Sequence, residues 1–137
     1  MTTRKVCVVG STRFPMTAGI GAQVVDELRG LGDVAILTRG TGEFETFLMH
    51  VCPLLELRCL TYPSTGGPDN WRRDVELVHD ADEVLAYVSP RDLEKHDRMT
   101  GTLHIVDKAL DQKKPVRMFT EVDGRIVYAA ASQEDAG

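Results

Sequence analysis

The chain is punctuated at nearly even intervals. A short, unbroken apolar run gives way to glycine and hydroxyl residues, a stretch with helical spacing follows, and the cycle begins again. Val6 to Val9 is the first run, followed by Gly10-Ser11-Thr12-Arg13, by Thr17 as the expected helix cap and by Ile20, Val24, Val25 and Leu28 at helical intervals. Val34 to Leu37 is the second, followed by Thr38-Arg39-Gly40-Thr41-Gly42 and a helix expected over Glu43 to Leu54. Phe44, Phe47, Leu48 and Val51 form the expected apolar face of that helix. Leu57 to Tyr62 is the third, closed by Pro63 and the turn-rich Ser64 to Pro68, after which Asp69 or Asn70 caps a helix bearing Trp71, Val75 and Val78. Glu83 to Val88 is the fourth; the polar stretch Ser89 to Thr100 and a helix over Gly101 to Gln112 lead to the fifth, Val116 to Thr120. Unbroken apolar runs of this length suit strands buried on both faces, which parallel sheets have and half-exposed antiparallel sheets lack.

The expected fold is therefore α/β: a Rossmann-like three-layer sandwich with a mostly parallel five-stranded sheet and a C-terminal hairpin. The hairpin, over 121–128, turns on Asp123-Gly124. With 137 residues and no linker or repeat, a single domain is expected, its core over 5–120 and a frayed tail over 129–137. In sheets of this kind ligands bind beyond the carboxyl ends of the strands, where strand order reverses. The glycine-bearing and polar loops after the first four strands all fall at that edge.

Charge and composition narrow the partners. A net charge of -5 disfavours nucleic acid, whose non-specific affinity comes from excess Lys and Arg. The three cysteines show no metal-ligand spacing, and Cys7 and Cys59 sit in strand-like runs where a thiol serves as a small hydrophobe. The N-terminal apolar run is too short for a signal peptide and no run approaches a bilayer span, so a reducing, cytoplasmic setting without a membrane partner is expected.

Several loops carry groups suited to an anion. In the first, Gly10 permits a tight turn, Ser11 and Thr12 offer hydroxyls, and Arg13 can grip phosphate bidentately. In the second, Gly40, Thr41 and Gly42 let a ligand approach amides at a helix start. Glu43 and Glu45 there can accept from ribose hydroxyls, although acidic residues in a first turn also suit the helix dipole. In the loop opening the last helix, Gly101 and Thr102 offer free amides and a hydroxyl, with Thr100 or Thr102 as the cap; His104, in the first turn, is expected to be solvated. Trp71 is expected to pack its helix on the sheet. Of Arg72 and Arg73 one should face the strand edge, and Asp74 is placed to orient an arginine. The charged segment Arg91 to Arg98 reads as a solvated loop, long enough for a lid.

Read together, Gly10-Ser11-Thr12-Arg13, Arg39-Gly40-Thr41-Gly42, Tyr62-Pro63, Arg73-Asp74 with Val78 and Ala81-Asp82, and Gly101-Thr102 followed by Ala109 and Lys114-Pro115-Val116 resemble the SLOG superfamily. The likeness is to its small YspA-like members of bacteria and phages, with DNA-processing protein A and the lonely-guy phosphoribohydrolases as more distant relatives. The resemblance implies a site for a nucleotide or derivative related to NAD or ADP-ribose, contacted by Gly10, Ser11, Arg13, Gly40, Gly42, Arg73, Gly101 and Thr102. It also implies a homo-oligomer, a dimer.

The chain departs from the phosphoribohydrolases where their chemistry resides. Met99-Thr100 stands in place of a glycine pair, and Ile105 stands three residues after Thr102, where those enzymes carry a catalytic glutamate. Asp107 lies about 200° further round the helix and does not substitute. Arg73-Asp74 replaces Arg-Asn, setting a carboxylate near any phosphate. The leading expectation is binding or sensing of a nucleotide-type ligand without catalysis and without a required cofactor. One alternative is an N-glycosidase or nucleotide hydrolase using Glu43, Glu45 or Asp74. The other is single-stranded DNA binding, for which Phe14, Tyr62 and Trp71 are the aromatics near candidate loops.

Overall fold

Along the first strand, β1 (Arg4–Gly10), successive side chains enter different cores. Val6 and Val8 join one apolar cluster and Cys7 and Val9 the other, all fully buried. An apolar run without alternation is what two covered faces require. The computed structural model describes residues 3–63, 69–95 and 101–131. From β1 the chain passes through α1 (Ala18–Gly30), β2 (Val34–Thr38), α2 (Gly42–Leu54) and β3 (Arg58–Thr61). It continues through α3 (Asp69–Asp80), β4 (Glu83–Tyr87), α4 (Pro90–Lys95), α5 (Gly101–Asp111), β5 (Val116–Val122) and β6 (Arg125–Ala131).

The strands form one sheet in the order β3-β2-β1-β4-β5-β6, parallel except for the antiparallel β5–β6 pair. Ile20, Val24 and Leu28 of α1 and Phe44 and Leu48 of α2 pack on one face, against Val6, Val8, Ile36, Leu85 and Tyr87. Leu77 and Val78 of α3 and Ile105, Val106 and Ala109 of α5 pack on the other, against Cys7, Val9, Leu37, Val84 and Ala86. Thr17 caps α1 as its position suggests, its hydroxyl accepting from the Ile20 amide at 3.2 Å. None of the described helices is long and apolar enough to cross a membrane.

The sheet has six strands where five were expected. The hairpin does not stand apart from the sheet: β5 runs on to Val122, the chain turns at Asp123-Gly124, and β6 returns along β5 as the edge strand. That pairing carries the chain through Ala131, two residues beyond the expected onset of fraying at 129. Part of the polar stretch after β4 is also ordered, as the short helix α4, with the Ser89 hydroxyl accepting from the Asp92 amide at 3.2 Å.

Helix α3 is rotated from its expected seat. Its buried residues are Asp74, Leu77, Val78 and Ala81 just beyond its end, whereas Trp71 is 46% and Val75 42% exposed. A carboxylate occupies one rung of the buried stripe, so apolar residues alone did not mark the face.

Candidate functional site

Strand order reverses between β1 and β4, and the loops leaving their carboxyl ends are stitched together there. The Ser11 amide donates to the Tyr87 carbonyl at 2.9 Å, and the Ser89 amide donates to the Ser11 hydroxyl at 2.9 Å. Phe14, Phe44 and Tyr87 pack beneath as neighbouring rings, with Phe14–Phe44 centroids 5.5 Å and Phe44–Tyr87 centroids 4.6 Å apart. A Cβ on Gly10 would come within 2.4 Å of the Phe44 ring. Glycine at that position therefore makes room for Phe44, and the tight-turn reading of Gly10 gives way to a packing one.

The loop after β2 is organised by Glu45, which is fully buried. One carboxylate oxygen accepts from the Thr38 hydroxyl at 3.0 Å and the Arg39 and Gly40 amides at 2.9 and 3.0 Å; the other accepts from the Gly10 amide at 3.1 Å. The Arg39 guanidinium closes on the same carboxylate, its Nε 3.0 Å from Oε2. One terminal nitrogen of Arg39 also donates to the Gly10 carbonyl and to the Thr102 hydroxyl, both at 3.1 Å. The loops after β1 and β2 and the first turn of α5 thus meet on a single side chain. The Arg39 and Gly40 amides, which precede the helix-start amides expected to meet an anion, hold the protein's own carboxylate.

The expected contact residues fall into two groups. Gly10, Ser11 and Thr102 are buried and form a foundation. Thr12, Arg13, Gly42 and Gly101 are exposed along the rim, with Gly40 and Thr41 half-buried between them. The rim is close-built: a Cβ on Gly42, where φ is +75°, would lie 2.9 Å from the Thr12 Cα. Arg13 has no hydrogen bond or ion pair among the described residues. Thr41 precedes α2 without a side-chain capping bond, so its hydroxyl is not committed to the helix. Thr102 lies inside α5 and so is not its cap, while Thr100 and the 96–98 part of the charged segment lie outside the described residues.

Arg73 and Asp74 form part of a second cluster. The Arg73 Nε donates to Asp74 Oδ1 at 2.8 Å and its Nη1 to the Tyr62 carbonyl at 3.2 Å. Asp74 does orient an arginine, but Arg73 is thereby engaged within the protein and its side chain is only 11% exposed. His104, expected to be solvated, is 2% exposed, with its Nδ1 2.6 Å from Asp74 Oδ2. The Trp71 ring lies beside the imidazole, centroids 5.0 Å apart at 36°. Sequence periodicity missed His104 because a buried ring in a first helical turn is paid for by a carboxylate on another helix.

These placements bear on the other readings of the site. Among the acidic candidates, Glu45 is saturated with donors and Asp74 holds Arg73 and His104; Glu43 alone is exposed. Of the aromatics, Phe14 is buried and so presents no stacking face. The Tyr62 hydroxyl donates to Asp80 Oδ2 at 2.6 Å, and burial followed by that bond pushes its pKa up. Among the described residues no group of three or more His, Cys, Asp or Glu is placed to hold a metal ion. No family model, curated protein or solved structure matches the chain.

Proposed function

We propose that the chain binds a nucleotide or nucleotide-derived ligand, of the NAD or ADP-ribose kind, at the carboxyl ends of β1, β2 and β4, and does so without catalysis. The observation that carries this reading is the Arg39 guanidinium reaching both the Gly10 carbonyl and the Thr102 hydroxyl. It ties the end of β1, the loop after β2 and the first turn of α5 together beside the switch in strand order, where open α/β sheets take their ligands. The exposed rim of Thr12, Arg13, Gly42 and Gly101 supplies hydroxyl and guanidinium groups suited to phosphate. The engagement of Glu45 and Asp74 inside the protein favours binding over hydrolysis.

The test is a thermal-shift and calorimetry panel of AMP, NAD and ADP-ribose, beside mass spectrometry of small molecules released on denaturation. A ligand at a hundred times its Kd should stabilise the protein by roughly 3 kcal/mol. Arg13→Ala should remove most of that stabilisation while leaving the ligand-free melting temperature unchanged. Thr102→Glu, by contrast, would disturb the foundation and unfold as much as unbind. No stabilisation by any member of the panel, or an unaltered response in Arg13→Ala, overturns the reading.

A further inference from the structure

The α3–α5 cluster contains a buried polar atom that the packing leaves unanswered. His104 Nδ1 meets the Asp74 carboxylate, which only accepts, so Nδ1 carries the hydrogen of that bond. In the neutral imidazole the lone pair then sits on Nε2. Nε2 is buried and has no hydrogen-bond partner among the described residues. An orphaned buried acceptor is costly, and native interiors rarely keep one without a use.

The neighbours fix the orientation of the pair. Arg73 Nε binds the other Asp74 oxygen, so the carboxylate cannot turn away from the imidazole. Arg73 is itself anchored on the Tyr62 carbonyl just past β3. Thr102, held by Arg39, shares the first turn of α5 with His104 but lies about 200° round the helix from it. The group beside the imidazole is Trp71, nearly half exposed, so its ring can move aside without opening the apolar core.

We propose that Asp74 and His104 form a hydrogen-bond receptor for the bound ligand. Asp74, the positioning residue, holds the imidazole with its lone pair on Nε2, and an N–H or O–H of a nucleobase or ribose completes that atom as Trp71 gives way. The proposal rests on the nucleotide reading above and adds to it the group that recognises a ligand donor.

The experiment uses the whole chain, labelled with nitrogen-15 at histidine, and AMP, NAD and ADP-ribose as probes. Before any ligand is added, long-range nitrogen–proton spectra should show His104 protonated at Nδ1 and pyridine-like at Nε2. Asp74→Asn reverses this: Arg73 keeps the Asn oxygen, the amide NH2 faces Nδ1, and the ring hydrogen moves to Nε2. His104→Asn keeps a donor for Asp74 but removes the ε nitrogen altogether. Each variant should weaken binding about tenfold or more, the scale of a lost buried hydrogen bond. In the wild type the Nε2 resonance should shift on saturation, and the fluorescence of Trp71, the sole tryptophan, should change with it. Calorimetric binding that leaves Nε2 and Trp71 unmoved overturns the receptor while sparing the nucleotide reading. So does full affinity in either folded variant. Failure of all three probes to bind the wild type overturns the nucleotide reading and removes the receptor's ligand with it.

Discussion

Glu45 and Arg39 meet as an enclosed ion pair in which the carboxylate oxygens also accept from the backbone amides of both flanking loops. The two partners are not equivalent. Removing the carboxylate strands a buried guanidinium together with the Gly10, Arg39 and Gly40 amides. Glu45→Ala should therefore cost about 3–5 kcal/mol. Arg39→Met leaves the carboxylate its amides and the Thr38 hydroxyl, so its cost should be clearly smaller. Urea denaturation of the two variants measures the difference, and equal losses would show that the amides contribute nothing.

Gly42 and Gly101 both have positive φ, +75° and +66°, yet they should respond differently to alanine. At Gly42 the new methyl collides with the Thr12 backbone, whereas at Gly101 no atom of the described residues lies within 4 Å. Gly101→Ala should cost only the left-handed backbone penalty, about 1–2 kcal/mol. Gly42→Ala should cost more and should shift the amide resonances of the loop after β1. If the rim takes an anion, Gly101→Ala should also weaken nucleotide binding by more than its loss of stability explains.

Trp71 and Phe44 reverse the usual expectation from size. Phe44 is fully buried among rings, and truncation to alanine should cost about 3–5 kcal/mol. Trp71, the larger residue, is 46% exposed, and Trp71→Ala should cost well under half as much. Thermal melts of the two variants decide this. A Trp71 loss as large as that of Phe44 would mean the ring is an integral part of the core.

The three cysteines should react in a fixed order. The hydrogen bond from the Cys52 thiol lowers the pKa of Cys59 and raises that of Cys52, while burial pushes the Cys7 thiol well above its ordinary range. Limiting iodoacetamide at neutral pH should modify Cys59 first and Cys7 only after unfolding. Cys52→Ala removes the donor and should slow alkylation of Cys59. Peptide mass spectrometry over a time course reads both rates.

The layered sheet was legible in the sequence because its signals are apolar. Val6 to Val9, Val34 to Leu37 and the glycine-bearing turns mark buried strands and their ends without reference to the rest of the chain. The α1 cap at Thr17 is equally local. What stayed hidden was polar and distant in sequence. Glu45, Asp74 and His104 each occupy a buried rung of a helix that hydrophobic periodicity assigns to apolar residues only, and each is admitted by a partner on another element: the Gly10 amide for Glu45, and for Asp74 and His104 each other. Arg39 was read only as one residue of the segment that ends the second strand, and nothing local foretells that its guanidinium reaches Gly10 and Thr102. The returning arm of the hairpin was legible from Asp123-Gly124, but not that β5 runs unbroken into that turn and so makes the arm the sixth, edge strand of the sheet.

The rings under the loop after β1 carry a thermodynamic consequence. Phe14 belongs to that loop, yet it is locked edge-on against Phe44 and Tyr87, which are themselves fastened to the sheet. The surface above inherits the stiffness of the interior, so a guest that settles there has little host motion to quench. Calorimetry should then find association with a small heat-capacity change, the mark of a receptor shaped before its ligand arrives.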